Sequence, residues 1–120
     1  MPDYISYGRQ SISESDIDAV VQVLRSEFLT QGPAVPEFEK AVAEKSNAQY
    51  AVAVNSATSA LHIACLALGV GPRDTVWTSP ITFVASANCA RFCGASVDFV
   101  DIGPQTWCMS AEKLKKKLKQ

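Results

Sequence analysis

The sequence predicts an α/β fold in which helices cross over between the strands of a parallel, three-layer sheet. Three short runs, each bounded by turn residues, have the composition of strands: residues 50–54, 75–78 and 97–100. Helical patterns separate the three runs, and this alternation favours parallel pairing, since a parallel connection has to cross the sheet. The β-branched residues in the runs favour strands that are buried on both faces.

Two helices are predicted ahead of the first strand. In the first of them, apolar residues recur with the spacing of an amphipathic helix, at Ile17, Val20, Val21, Leu24 and Phe28. Ser13, followed three residues later by Asp16, is a capping signal for the start of this helix. The second helix is expected to follow Pro36, and the Gly-Pro pair within residues 29–33 predicts a loop between the two helices.

Three further helices are expected to alternate with the strands. Residues 57–68 are nearly all apolar and end at Gly69, so they predict a helix that is buried in the protein. Residues 82–93 form the next candidate helix, which Gly94 ends, and a last helix is expected to begin near Ser110.

This pattern predicts two parts: a helical segment at residues 1–46 and an incomplete α/β domain at residues 47–120. Three strands alone leave two open sheet edges, and in a doubly wound sheet another strand follows a helix such as the last one. The sequence is therefore interpreted as the N-terminal portion of a larger protein.

Composition and charge exclude several classes of protein. The chain has 120 residues, 48% of them hydrophobic and 19% charged, which is typical of a globular protein and not of a disordered one. It has no apolar run long enough to span a bilayer and no leader-like start, so a soluble, cytoplasmic protein is expected. Residues 112–120 carry five lysines, but they lack the interleaved aromatic residues typical of a nucleic-acid patch. The lysines are interpreted as a solvated helix face, and no nucleic-acid or membrane partner is expected.

Four cysteines raise the question of a metal site. Cys89 and Cys93 are spaced for one face of a helix, but the only histidine, His62, lies in a different apolar run, so no metal site is expected. Apolar neighbours favour small buried side chains at these positions, and without a secretion signal no disulfide is expected either.

The segment at residues 54–61 carries the strongest chemical signal. It joins a predicted strand to a predicted helix through small and hydroxyl-bearing residues, among them Thr58 and Ser59. The first turn of a helix has unpaired backbone N–H groups and a favourable dipole for anions, so small residues there predict a phosphate site. On spacing alone, simple capping of the helix by Asn55, Ser56 and Thr58 accounts for the pattern equally well.

A second signal follows the next predicted strand, at residues 78–84. This loop lies at the carboxyl edge of the sheet, where open α/β folds bind their ligands. Phe83 is placed there to stack on a planar heterocycle, although taken by itself a phenylalanine at this position is better explained by core packing.

Together these segments resemble the sugar aminotransferases of the DegT/DnrJ/EryC1/StrS family. The resemblance rests on Asn55–Leu61, Thr78–Ala85 and Leu29–Pro33, which occur in the family's order. It implies the large domain of a fold type I, pyridoxal-phosphate-dependent transferase, of which this chain covers about the first third. Residues 5–10 and the Leu-Thr-Gln-Gly motif at residues 29–32 most resemble one branch of the family. This branch aminates C4 of a UDP-linked 4-keto-6-deoxy sugar in pseudaminic acid biosynthesis.

The resemblance also implies roles for individual residues. Thr58 and Ser59 are expected to hold the phosphate of pyridoxal phosphate, and Phe83 to stack on its ring. A nucleotide-sugar pocket is expected to be lined by Tyr7, Glu27, Phe28, Leu29, Thr30 and Ala57. Glutamate is expected as amino donor, and a homodimer is expected for the intact protein.

No catalytic residue is assigned within these residues. The family's Schiff-base lysine stands in a Ser-His-Lys context, and none of the seven lysines here has such neighbours, so the chain alone is expected not to transaminate and to bind the cofactor weakly at most. Family members with histidine at that position are dehydratases, which leaves the reaction class open. The alternatives are a non-catalytic α/β module that binds another phosphate ligand and a truncated, inactive fragment.

Overall fold

The computed structural model describes residues 7–119. In chain order its elements are α1 (Glu14–Leu24), α2 (Ala34–Lys45), α3 (Ala57–Ala67), β1 (Thr75–Thr78), α4 (Ala85–Phe92), β2 (Ser96–Phe99) and α5 (Ala111–Lys117). The chain forms two compact units, which divide between Ala53 and Val54. None of the described helices is long and apolar enough to cross a membrane.

Helix α1 begins with the predicted capping box. The Asp16 carboxylate accepts a hydrogen bond of 2.8 Å from the Ser13 backbone N–H, and the Ser13 hydroxyl accepts one of 3.4 Å from the Asp16 N–H. Hydrogen bonds from the Ser13 N–H and hydroxyl lower the pKa of Asp16. The helix ends at Leu24, so the prediction that Phe28 continues its apolar stripe is wrong.

In the loop after α1, the backbone at Gly32 lies close to the backbone of Phe28. A Cβ atom on Gly32 would lie 2.7 Å from the Phe28 carbonyl oxygen, so only glycine fits there without a shift of the backbone. Helix α2 then begins at Ala34, whereas the prediction placed its start after Pro36, and Pro36 lies inside its first turn. Proline is tolerated there because the N–H groups of the first turn have no partner within the helix.

The strand predicted at residues 50–54 is absent from the described structure. Within residues 7–119, none of its backbone groups bonds to another backbone group; the Ala53 N–H donates instead to the Glu39 carboxylate at 2.8 Å. Tyr50 and Val52 are exposed on alternate positions of the run. The prediction was wrong because a strand requires a hydrogen-bonded neighbour as well as a suitable composition.

Strands β1 and β2 of the second unit form the predicted parallel pair. They pair in register from Thr75 opposite Ser96 to Thr78 opposite Phe99, and α4 crosses between them. The connection from α4 to β2 turns at Gly94, whose φ of 77° favours glycine. The described sheet therefore has two strands in place of the predicted three, and α4 begins three residues later than predicted.

Helix α4 contributes most of the buried residues of this unit. Its buried side chains are small: Ala85, Cys89 and Ala90. The adjoining Ala95 and Val100 are buried as well. By contrast α3 has no buried residue, and its Leu61, Ile63 and Leu66 are exposed. The prediction of a buried α3 is wrong for the described residues, since α3 packs against α4 while its other sides are open.

Two of the five C-terminal lysines form contacts outside their own helix. Lys117 donates to the Asp98 carboxylate at 2.5 Å and to the Phe99 carbonyl oxygen at 2.7 Å, while Lys113 pairs with Asp101 at 2.7 Å. Lys113 and Lys117 lie one helical turn apart on α5. Their contacts therefore join one face of this helix to the end of β2 and the residues after it. The interpretation of all five lysines as a solvated face is therefore wrong for Lys117, whose side chain is 26% exposed, while Lys113 remains exposed.

The Lys117–Asp98 pair makes stability depend on pH. The hydrogen bond from Lys117 lowers the pKa of Asp98, so this carboxyl stabilises the fold above its ordinary pKa of 3.8, and the contribution is lost as the pH falls below that value. Lys117→Met removes this contribution. In urea titrations followed by circular dichroism, we expect the variant to be less stable than the parent at pH 7 and the difference to shrink towards pH 2.

Lys115→Met is the matched control. It changes the same charge on the same helix, and Lys115 forms no ion pair among the residues that the structure describes. Its stability difference from the parent should stay nearly constant over this range. Equal pH profiles for the two variants would contradict a specific role for the Asp98 pair.

Candidate functional site

Residues Asn55–Ser59, which lead into α3 and form the start of its first turn, are a candidate for ligand binding, and we call them the α3 turn. Ser56 is the N-cap: its backbone is extended, and its hydroxyl accepts a hydrogen bond of 3.2 Å from the Ser59 N–H. The Ser59 hydroxyl donates to the Asn55 side-chain oxygen at 2.7 Å. Ser56 therefore caps the helix, while Asn55 binds only the Ser59 side chain.

Three hydrogen-bond donors of the α3 turn remain unused. Within residues 7–119, the backbone N–H groups of Ala57 and Thr58 have no acceptor, and the Thr58 hydroxyl has no partner. Thr58 thus does not cap the helix, contrary to one of the two interpretations of the sequence. A helix N-terminus with unpaired N–H groups attracts an anion, and the turn contains no charged side chain to oppose one. These donors fit a phosphate group.

Phe83 lies in the segment between β1 and α4, two residues before α4 begins. Its carbonyl oxygen accepts a hydrogen bond of 3.0 Å from the Ser86 N–H, which fixes the backbone at the entrance to the helix. The residue is 74% exposed, so core packing does not explain its position within the described residues. An exposed ring at the carboxyl edge of a parallel sheet is available for stacking.

The α3 turn and Phe83 precede two helices that pack together. Between α3 and α4, the rings of His62 and Phe92 meet edge to face with centroids 5.3 Å apart. No hydrogen bond or ring contact joins Phe83 to the α3 turn within residues 7–119. The structure therefore places both elements in one unit, and among the described residues neither a hydrogen bond nor a ring contact joins them.

Five predicted pocket residues belong to the first unit. Glu27, Phe28, Leu29 and Thr30 are consecutive and exposed in the loop after α1, and Tyr7 is exposed near the start of the described chain. The Ser26 hydroxyl lies within hydrogen-bond distance of the Val23 carbonyl oxygen in α1, at 2.7 Å, and of the Phe28 carbonyl oxygen in the loop, at 3.3 Å. The sixth residue, Ala57, belongs to the second unit and is the first residue of α3. Of the opening motif at residues 5–10, positions 5 and 6 lie outside the described residues.

The cysteines do not form a metal centre in the described structure. No group of three or more histidine, cysteine, aspartate or glutamate side chains among residues 7–119 is arranged to hold a metal ion. Burial raises the pKa of the Cys65 thiol, and the neighbouring Cys89 and Cys93 thiols raise it further. A raised pKa keeps this thiol protonated near neutral pH, so it is not a ready metal ligand.

A comparison with known protein families identifies the family of this chain. The profile of the DegT/DnrJ/EryC1/StrS aminotransferase family matches residues 10–120. The chain is a member of this family. The fold agrees: Spr1654 of Streptococcus pneumoniae, assigned as a sugar aminotransferase and solved in its PLP form, superposes with a TM-score of 0.86 at 34% identity, covering 93% of this chain and 29% of that one.

Curated aminotransferases are also similar to this chain in sequence. A UDP-4-amino-4,6-dideoxy-N-acetyl-beta-L-altrosamine transaminase of Campylobacter jejuni is 49% identical over 98 residues, which are 82% of this chain and 26% of the relative. The UDP-4-amino-4-deoxy-L-arabinose–oxoglutarate aminotransferase of Shewanella sediminis is 40% identical over 100 residues, 83% of this chain and 26% of the relative. The chain thus spans about a quarter of the length of these curated relatives.

Two features of the site were not assigned from the sequence. The motif predicted hydroxyl donors at the α3 turn, but it did not show that Ser59 is already engaged by Asn55 while Thr58 is free. Nor did it single out the Ala57 N–H, because a backbone donor leaves no signal in the side-chain pattern. A hydrogen-bond inventory of the first helical turn is what distinguishes these groups.

Ser56→Ala tests the structure of the α3 turn directly. Loss of an N-cap hydroxyl costs about 1 kcal/mol of helix stability. We expect the free energy of unfolding in urea to fall by about this amount and the amide of Ser59 to exchange its hydrogen faster.

The matched control is Ser96→Ala at the exposed first residue of β2, whose hydroxyl has no hydrogen-bond partner among residues 7–119. Its effect on stability should be within a few tenths of a kcal/mol. If both variants lose the same stability, the Ser56 cap is not specific.

Proposed function

We propose that this chain is the N-terminal portion of a pyridoxal-phosphate-dependent nucleotide-sugar aminotransferase. The observation that carries the proposal is the α3 turn, where the N–H groups of Ala57 and Thr58 and the Thr58 hydroxyl are free of other partners within the described residues. Family membership and the PLP and PMP forms of Spr1654 support this cofactor. In this proposal, residues 47–120 are the first part of the cofactor-binding large domain and residues 1–46 a helical segment before it.

In the proposed site, each residue acts through binding and orientation. Thr58 donates its free hydroxyl to the cofactor phosphate. The Ser59 hydroxyl donates to Asn55 in this structure, and in the proposal it turns to the same phosphate when the cofactor binds. Phe83 stacks on the pyridine ring and keeps it flat against the site. When bound, pyridoxal phosphate supplies the electron sink and carries the amino group between substrates, which leaves positioning to the protein.

The proposed acceptor is C4 of a UDP-linked 4-keto-6-deoxy hexose, as in pseudaminic-acid-type sugar biosynthesis. The Campylobacter relative, named for a UDP-linked amino sugar, supports this substrate class. Tyr7 and Ala57, together with the run Glu27, Phe28, Leu29 and Thr30, are proposed to contact the nucleotide sugar. The carboxylate of Glu27 has to point away from the pyrophosphate, since two negative charges at close range repel.

Glutamate is the proposed amino donor, and the Shewanella relative, named as an oxoglutarate aminotransferase, supports it. We also propose a homodimer for the intact protein, since apolar side chains of α1 such as Val20 and Leu24 are exposed. The proposed location is the cytoplasm, in keeping with four cysteines that are all free.

Substitutions in the intact protein test the cofactor site. Thr58→Val removes one hydrogen bond to a charged group, which is worth about 1.5 kcal/mol, so we expect the Kd for pyridoxal phosphate to rise about tenfold. Phe83→Ala removes the ring and should raise the Kd about fivefold. Absorbance of the bound cofactor during dialysis measures both effects.

Thr75→Val and Phe38→Ala are the matched controls. Thr75 is exposed at the start of β1, and Phe38 is exposed on α2, so neither variant should change cofactor retention. If Thr58→Val and Phe83→Ala retain cofactor as the controls do, the proposed site is wrong. Retained binding of inorganic phosphate without pyridoxal phosphate would instead favour a non-catalytic phosphate-binding module.

A further inference from the structure

The ring of Phe83 has no packed neighbour that sets its direction. The residue is 74% exposed, and among residues 7–119 its ring makes no contact with another aromatic ring. An exposed side chain changes rotamer within nanoseconds, so the place at which the ring is presented depends on how firmly its backbone is held. The contacts that hold the backbone at residue 83 therefore determine how well this ring can stack on a ligand.

Ser86 contacts the chain on both sides of Phe83. Its backbone N–H donates to the Phe83 carbonyl oxygen at 3.0 Å. Its hydroxyl lies 3.2 Å from the Thr82 hydroxyl, which is within hydrogen-bond distance. One residue of α4 thus holds the chain directly before and directly after the Phe83 side chain.

Ser86 is itself anchored by the packing of α4. It is half-buried and follows Ala85, which is 3% exposed. The Ser86 carbonyl oxygen accepts a hydrogen bond of 3.4 Å from the thiol of Cys89, which is buried on the same helix. Residues on packed helices hold a site more precisely than residues on loops, so Ser86 can transmit the position of α4 to the segment before it.

We propose that Ser86, through the contact of its hydroxyl with Thr82, is a positioning residue for Phe83 in the cofactor site. This role rests on the proposed function, in which Phe83 stacks on the pyridine ring. Ser86 does not touch the cofactor in this proposal and acts only through the ring. A segment that is held in place before binding has less freedom to lose when the cofactor binds, so the contact strengthens binding.

Substitutions of the two hydroxyl groups in the intact protein test the contact. Ser86→Ala keeps the backbone N–H and removes only the hydroxyl, so we expect the Kd for pyridoxal phosphate, measured by absorbance, to rise about threefold. Thr82→Val removes the same contact from the exposed segment before α4, and it should give the same rise. The double variant should show no further rise, because both changes remove one contact. Ser86→Thr, which keeps a hydroxyl, and the control Ser96→Ala should bind as the parent does.

A double-mutant cycle with Phe83→Ala separates positioning from a general loss of structure. If Ser86 acts only through the ring, Ser86→Ala has no effect once the ring is gone. The Kd of the Ser86→Ala, Phe83→Ala variant should then stay about fivefold above that of the parent, as for Phe83→Ala alone. Independent effects would multiply to about fifteenfold, and this result would overturn the positioning role.

Amide hydrogen exchange without cofactor tests the contact independently of binding. Ser86→Ala and Thr82→Val should speed exchange in residues 79–88, whereas Ser96→Ala should not. Unchanged exchange in both variants would overturn the proposal, since the contact would not hold the segment.

The two readouts also separate this inference from the proposed function. If Phe83→Ala leaves the Kd unchanged while both hydroxyl variants speed exchange, the contact holds the segment but the cofactor site is wrong. If Phe83→Ala raises the Kd and Ser86→Ala does not, the cofactor site stands and the positioning role of Ser86 is wrong.

Discussion

Close packing around α4 is the constraint on which the second unit depends. The helix faces α3 and both strands, and its buried side chains are alanines and a cysteine. Small side chains let three neighbours approach one short helix, and a larger residue at Ala90, which is fully buried, would have no space. The parallel register of β1 and β2 follows, since α4 is the connection between them.

Polar contacts then secure the open end of this unit. Lys113 and Lys117 bind Asp101 and Asp98, which stand at and just after β2. The pairs are partly exposed, so each adds little energy by itself. Lys117 also bonds to the Phe99 carbonyl oxygen and lies 6.0 Å from the centre of the Trp77 ring, which gives α5 a fixed position over the strands.

The candidate cofactor site depends on groups that the fold leaves unpaired. At the α3 turn, Ser56 and Asn55 satisfy Ser59, and the helix geometry leaves the N–H groups of Ala57 and Thr58 open at the end of the dipole that attracts anions. Phe83 lies in the segment before α4 and remains exposed, while the buried side chains of α4 include Ala85 and Ala90. Both features suit a ligand that carries a phosphate and a flat ring.

The sequence by itself determined the local structure of this protein. Capping at Ser13, Ser56 and Ser110, the turn at Gly94 and the motifs that mark the family are all encoded within a few residues, so they could be predicted. The parallel order of β1 and β2 was also predictable, because the helix length between them requires a crossover.

Only the tertiary structure decided which groups find partners. Residues 50–54 have the composition of a strand, yet within residues 7–119 they pair with no other strand, since pairing depends on a neighbour distant in sequence. The same holds for the two lysines that bind the end of β2 and the residues after it. Each depends on how helices pack in space, which local patterns of residues do not encode.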